Sequence, residues 1–246
     1  MTATKTTNRR ALVTGGSGDI GGAICRALAD AGHQVYVHAY ANAARAQGIA
    51  DAIRAGGGAA DVVVFDITDA VATRRALDGL LPAGPIEVLV HNAGVHDDAP
   101  LAGMTDAQWR RVIDVSLHGF FHVVQPLLLP MARAKFGRIV GVSSVAALLG
   151  NRGQVNYAAA KSALHGAAKS LAREMASRGV TVNIVAPGVI AGKISAAAFD
   201  DGQIRRLVPA ARPGTPEEVA ALVAFLCSTA AGYVNGQVIG IDGAMT

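Results

Sequence analysis

The chain has 246 residues, 51% of them hydrophobic and 16% charged, with a formal net charge of +4 at pH 7. That length suits one α/β domain and is short for two, and the apolar share excludes intrinsic disorder. Aromatic residues make up only 4% and the basic residues form no stripe, so nucleic acid is excluded as a partner. Cys25 and Cys227 are the two cysteines, too few for a disulfide framework or a zinc site, and they point to a reducing compartment. Residues 1–8 are polar and read as a flexible lead-in without a signal-peptide core. No uninterrupted apolar run reaches the roughly 18 residues of a membrane span. A cytoplasmic location is the expectation, with no membrane partner.

Short β-branched runs alternate with Ala-rich segments of helical period along the chain. In order, the pattern predicts strand 11–14, helix 20–30, strand 35–38, helix 43–55, strand 62–65, helix 73–81 and strand 88–91. A long helix 106–131, strand 139–142, helix 157–177, strand 182–185, helix 216–228 and strand 238–241 complete it. Several strands are apolar at successive positions, as parallel strands covered on both faces are. Alternation with right-handed crossovers predicts a single-domain, Rossmann-type doubly wound parallel sheet of about seven strands. Ligands bind such sheets beyond the carboxyl ends of the strands. The loops after Thr14, His38, Phe65, His91, Val142 and Val185 should therefore surround one crevice.

The first of those loops, Thr14, Gly15, Gly16, Ser17, Gly18, Asp19, Ile20 and Gly21, runs from a strand into a helix. Gly16, Gly18 and Gly21 satisfy G-x-G-x-x-G, whose glycines let a pyrophosphate approach backbone amides at a helix N-terminus. About 20 residues further on, an acid would hold the ribose of NAD and repel a 2′-phosphate. The chain has VHAYANAAR there and no carboxylate. NADP(H) is thus the expected cofactor, with His38 and Arg45 as candidate phosphate contacts.

Ser144 follows a strand, and Tyr157 and Lys161 share one face of the next helix at i and i+4. A phenol titrates near 10, so service near pH 7 asks for about 3 units, or roughly 4 kcal/mol. An ammonium at about 4 Å in a dielectric near 20 supplies a similar amount before desolvation. The expectation is a phenol made acidic by its lysine.

With TGGSGDIG, FDITD, HNAG, VSSVAALLGNRGQVNYAAAK, SRGVTVNIVAPG and GQVIGIDGAMT in this order, the chain resembles the short-chain dehydrogenase/reductase family over essentially its whole length. It is most similar to the 3-oxoacyl-[acyl-carrier-protein] reductases within it. The resemblance implies that Tyr157 gives a proton to the substrate oxygen, Lys161 lowers the phenol pKa and holds the nicotinamide ribose, and Ser144 hydrogen-bonds the substrate. It also implies that Asp66 and Ile67 flank the adenine, that Asn92, Ala93 and Gly94 line the cofactor cleft, and that Pro187, Gly188 and Ile190 meet the carboxamide. It further implies a homotetramer and an acyl carrier protein docked through Lys135, Arg138 and Arg178. Residues 190–199 read as a lid over the acyl chain.

The chain departs from the family pattern in several places. The middle glycine of the loop is displaced by Asp19, expected to cap the helix with its side chain turned away. Ser116 stands where the family has the Asn of its proton relay, Gly192 where a Thr is common, and His91, expected to be structural, where Asn is common. These departures suit a relative specialised to one pathway, fatty-acid or polyketide-like (aryl-polyene) assembly. Two alternatives are a reductase of small free ketones or coenzyme A thioesters, and a non-catalytic partner subunit that only binds the cofactor.

Overall fold

The computed structural model describes residues 9–192 and 200–246. The N-terminal lead-in and most of the 190–199 segment lie outside the described residues. Seven strands make one parallel sheet: β1 (Arg10–Thr14), β2 (Gln34–Ala39), β3 (Ala59–Val64), β4 (Val88–His91), β5 (Gly137–Val142), β6 (Val180–Pro187) and β7 (Val238–Ile241). Their order is β3-β2-β1-β4-β5-β6-β7. The chain therefore starts in the middle, winds outward to β3, and returns through β4 to the other edge. The reversal between β1 and β4 opens the crevice where the glycine loop sits.

The sheet is apolar on both faces because successive strand residues serve opposite layers. Ala11 and Val13 face a layer built from α1 (Asp19–Asp30), α2 (Ala43–Ala55) and α9 (Pro216–Cys227). Leu12 faces the other layer, built from α3 (Ala70–Leu80), α5 (Gly119–Ala134) and α7 (Val155–Met175). Leu12, Leu89, Leu127 and Ile139 are fully buried there, each worth about 1.5–3 kcal/mol relative to exposure. Local signals agree with this packing. Asp69 caps α3 by accepting from the amides of Val71 and Ala72. Thr215 and Glu218 close a capping box at the start of α9.

The predicted helix 106–131 is three pieces: α4 (Asp106–Ile113), a π-helical turn at Asp114–His118, and α5. The extra residue of a π turn rotates Ser116 into the interior, where it is fully buried. The run Asp106–Ala134 is long and apolar enough to cross a membrane, but 44% of its most apolar window is buried within the fold. Phe120, Val123, Val124, Leu127 and Met131 put that side of α5 in the core. Two short helices, α6 (Ala146–Leu149) and α8 (Asp201–Leu207), have too few periodic residues to be visible in the sequence.

Arg138 does not fit the expected docking role. It is 5% exposed, inside β5, and its guanidinium donates to the carbonyls of Gly137, Gly179 and Ser228. Its charge lies over the Phe136 ring, 4.2 Å from the centroid, and burial holds its pKa below the usual value. This arginine thus ties the starts of β5 and β6 to the end of α9 through their carbonyls. Arg138→Ala should therefore lower unfolding free energy by about 2–4 kcal/mol in a urea titration, whereas Lys135→Ala, at an exposed helix end, should change it by less than about 0.5.

Candidate active site

The site is assembled on the hydroxyl of Thr14, the last residue of β1. Its Oγ1 accepts from the backbone amides of Asn92 at 3.1 Å and Ala93 at 3.1 Å, and lies 3.3 Å from Nδ1 of His91. The hydroxyl's single proton thus goes to His91, which places the imidazole proton on Nε2. That Nε2 donates to the carbonyl of Ser116 at 3.0 Å. Asn92 in turn donates its side-chain amide to the carbonyls of Thr14 and Gly15. One hydroxyl so ties the glycine loop, the 92–94 loop and the π turn together, and His91 is structural, as the sequence suggested.

His38 is a second internal brace and not a phosphate contact. It is 2% exposed, accepts from the amide of Gly15 on Nδ1, and donates from Nε2 to the carbonyl of Phe65. Burial pushes its pKa down to about 4, so it carries no charge to offer an anion. Gly15, Gly16 and Gly21 of the loop it holds have no room for a side chain. Gly15 has φ +63°, and a Cβ on Gly21 would lie 2.2 Å from the carbonyl oxygen of Gly15. Gly16 donates to the carbonyl of His38, and Gly18 precedes α1 as a cap without a side chain.

Asp19 is not turned away as a cap. It pairs directly with the guanidinium of Arg45. A Cβ on Gly192 would lie 2.9 Å from Oδ2 of Asp19, so the two residues are in contact across the rim of the cleft.

Ser144, Tyr157 and Lys161 come together as the spacing predicts. Lys161 Nζ is 5.8 Å from the Tyr157 ring centroid, and the Ser144 hydroxyl bonds the phenol. Lys161 is 3% exposed and donates to the carbonyl of Val142 at 2.8 Å. With its charge desolvated, its pKa falls to about 8. Burial works against the expected acidic phenol. Burial raises the Tyr157 pKa above 10, Ser144 offsets part of this, and the Asp98 carboxylate adds to the rise.

A cleft of about 700 Å³ joins these groups to the loop, lined by Gly18, Asp19, Gly21, Asn92, Gly94, Ser144, Tyr157, Lys161, Pro187, Gly188 and Ile190 among others. Gly94 is needed there, because a Cβ would stand 2.9 Å from Lys161 Nζ and 3.7 Å from the Ser116 hydroxyl. That hydroxyl is buried without a partner. Asp66 and Ile67 follow β3. Asp66 accepts from Thr68, whereas the Ile67 side chain is buried under Gly119, leaving its backbone for any contact with an adenine. A glycine cradle, a buried cation beside the cleft and an unpartnered hydroxyl fit a nicotinamide dinucleotide.

A family model described as Enoyl-(Acyl carrier protein) reductase matches residues 16–246. The 3-oxoacyl-[acyl-carrier-protein] reductase of Aggregatibacter actinomycetemcomitans is 42% identical over 236 residues, covering 95% of this chain and 98% of that protein. The Escherichia coli K12 enzyme of the same name is 40% identical over 238 residues, with 96% of each covered. The chain belongs to the short-chain dehydrogenase/reductase family. Among solved structures, a putative gluconate dehydrogenase from Agrobacterium tumefaciens matches with a TM-score of 0.93 at 31% identity, covering 96% of this chain and 95% of that one.

Sequence reasoning missed several residues of this family member's site. Asn156 is buried and donates to the carbonyls of Asp97 and Gln108, fixing the 95–98 loop against α7. Gln154 donates to Asp98, the acid that bears on Tyr157. Only the position of Asn156 next to Tyr157 hinted at either.

The two buried histidines give a pH signature. Burial, with the Lys161 charge adding to it, pushes His91 down to about 3, and His38 is near 4. In the unfolded chain both take protons near 6.5, so between those values the unfolded state binds more protons and stability falls as pH falls. Thermal unfolding should show full stability above about pH 7 and a loss of about 4 kcal/mol by pH 5. His91→Asn should make that decline shallower.

Proposed function

We propose that this protein reduces the ketone of a 3-oxoacyl thioester, carried on an acyl carrier protein, to the 3-hydroxyacyl thioester, with NADPH as the hydride source. The observation that carries this reading is the meeting of Ser144, Tyr157 and Lys161 in one cleft with the glycine loop. A nicotinamide dinucleotide, when bound, supplies hydride to the carbonyl carbon. Ser144 and Tyr157 hold the carbonyl oxygen by hydrogen bonds, and Tyr157 gives it a proton as negative charge develops. An alkoxide is a far stronger base than a phenolate, so a phenol kept neutral donates downhill. Lys161 then faces a phenolate that it stabilises, and returns a proton to it. The unpartnered Ser116 hydroxyl, across Gly94 from Lys161, serves as the next station of that relay.

NADPH is preferred in this reading because no carboxylate stands at 38–45 to repel a 2′-phosphate. The backbone and side chains of residues 14–21, 66, 67, 92–94 and 187–190 hold it. An acyl chain, in preference to the polyol acid in the name of the Agrobacterium protein, is supported by the cleft wall of Val145, Ala146, Leu149, Val189, Leu207 and Met245. The relatives named for carrier-protein substrates support the carrier. Lys135 and Arg178 are exposed, but they precede β5 and β6, about 20 Å along the strands from Ser144. Docking there serves the cleft of a second copy, which ties the carrier to a homotetramer, and α5 offers exposed Phe121 and Leu129 for such contact. Buried free thiols at Cys25 and Cys227 suit the cytoplasm.

An absorbance assay of NADPH with acetoacetyl thioester tests the chemistry. Tyr157→Phe should lower kcat by about 10²–10⁴-fold while the NADPH Kd stays within about threefold. Retention of more than about a tenth of the rate would refute the proton role. For the wild type, kcat/KM for reduction should fall above about pH 8 as Lys161 loses its proton. Lys135→Glu with Arg178→Glu should raise KM for the carrier-bound thioester and spare the free one. Equal effects on both substrates would favour free ketones or coenzyme A thioesters.

A further inference from the structure

Asp19 opens α1, where unpaired amides favour an anion, and it lines the main cleft at the glycine loop. A pyrophosphate seated on that loop would face a carboxylate at the position where the family pattern has glycine. The carboxylate does not stand alone. Arg45, from the first turn of α2, crosses 26 positions of sequence to pair with it, and both side chains are about two-fifths exposed. Asp19, Arg45 and Gly192 also share a side cavity of about 460 Å³ next to the cleft. On its other wall Arg26 faces Glu217 at 3.7 Å. Gly192 supplies the space that the Asp19 carboxylate fills, since a Cβ there would approach Oδ2 to 2.9 Å.

We infer that Arg45 is a positioning residue for the pyrophosphate, acting through Asp19 by cancelling its charge, and not a ligand of the ribose 2′-phosphate. The inference rests on the dinucleotide reading above. Two like charges in contact at the rim of a cleft repel, and a guanidinium held on one of them removes that repulsion. The pyrophosphate is common to NADH and NADPH, whereas the 2′-phosphate belongs to NADPH alone. Loss of Arg45 therefore exposes Asp19 to both cofactors equally, and loss of both partners removes the problem along with its remedy.

Isothermal titration calorimetry of the full chain with NADH and with NADPH tests this in wild type, Arg45→Met, Asp19→Gly and the double variant. Arg45→Met should weaken both dinucleotides by about tenfold or more and by similar factors. The double variant should return to within about threefold of Asp19→Gly. Arg45→Lys, which keeps the charge, should bind both nearly as the wild type does. Weakening of NADPH alone, no weakening of either, or a double variant as weak as Arg45→Met would each overturn the inference while leaving the dinucleotide reading intact. Failure of the wild type to bind either dinucleotide would overturn that reading and the inference together.

Discussion

The Thr14 hydroxyl fixes the geometry on which the whole cleft depends. It sits at the one place in the sheet where the chain reverses direction, between β1 and β4, and it closes the ends of both strands. Two backbone amides and one imidazole exhaust its hydrogen-bonding capacity. Because His91 passes the constraint on to the Ser116 carbonyl, the π turn beside Lys161 is set by the same hydroxyl that sets the glycine loop. Burial makes this strict. Thr14, His91 and Ser116 are fully buried, so each bond lost among them leaves an unpaired partner in a low-dielectric interior.

The same burial bears on the proton transfer. Desolvation moves Tyr157 up and Lys161 down, which brings a weak acid and a lysine near its own titration point into one cleft. Such a pair is suited to giving a proton away and recovering it. Two of the departures from the family pattern meet in the fold, where Asp19 pairs with Arg45 and Gly192 lies against the Asp19 carboxylate.

Much of this was legible in the sequence, and the reasons are local. The strands showed as β-branched runs because both faces are covered, and Tyr157 and Lys161 showed as neighbours because helical spacing guarantees it. The glycine loop announced itself by residues that admit no Cβ. What stayed hidden depends on burial and on long-range partners. His38 and Arg138 look like available bases, and only packing shows the first held neutral and the second spent on three carbonyls. The π turn at Asp114–His118 leaves no periodicity signal, since one extra residue is within the tolerance of an apolar helical pattern. The burial that opposes ionisation of Tyr157 is likewise invisible, because a charge can be read from sequence and a desolvation cannot.

Titration of tyrosinate absorbance in the cofactor-free protein, wild type minus Tyr157→Phe, tests the central claim most directly. A phenol held neutral by burial predicts no ionisation of Tyr157 at or below its ordinary value of 10. An extra tyrosinate appearing a pH unit or more below that value would contradict the account, and would mean that Lys161 dominates the cleft.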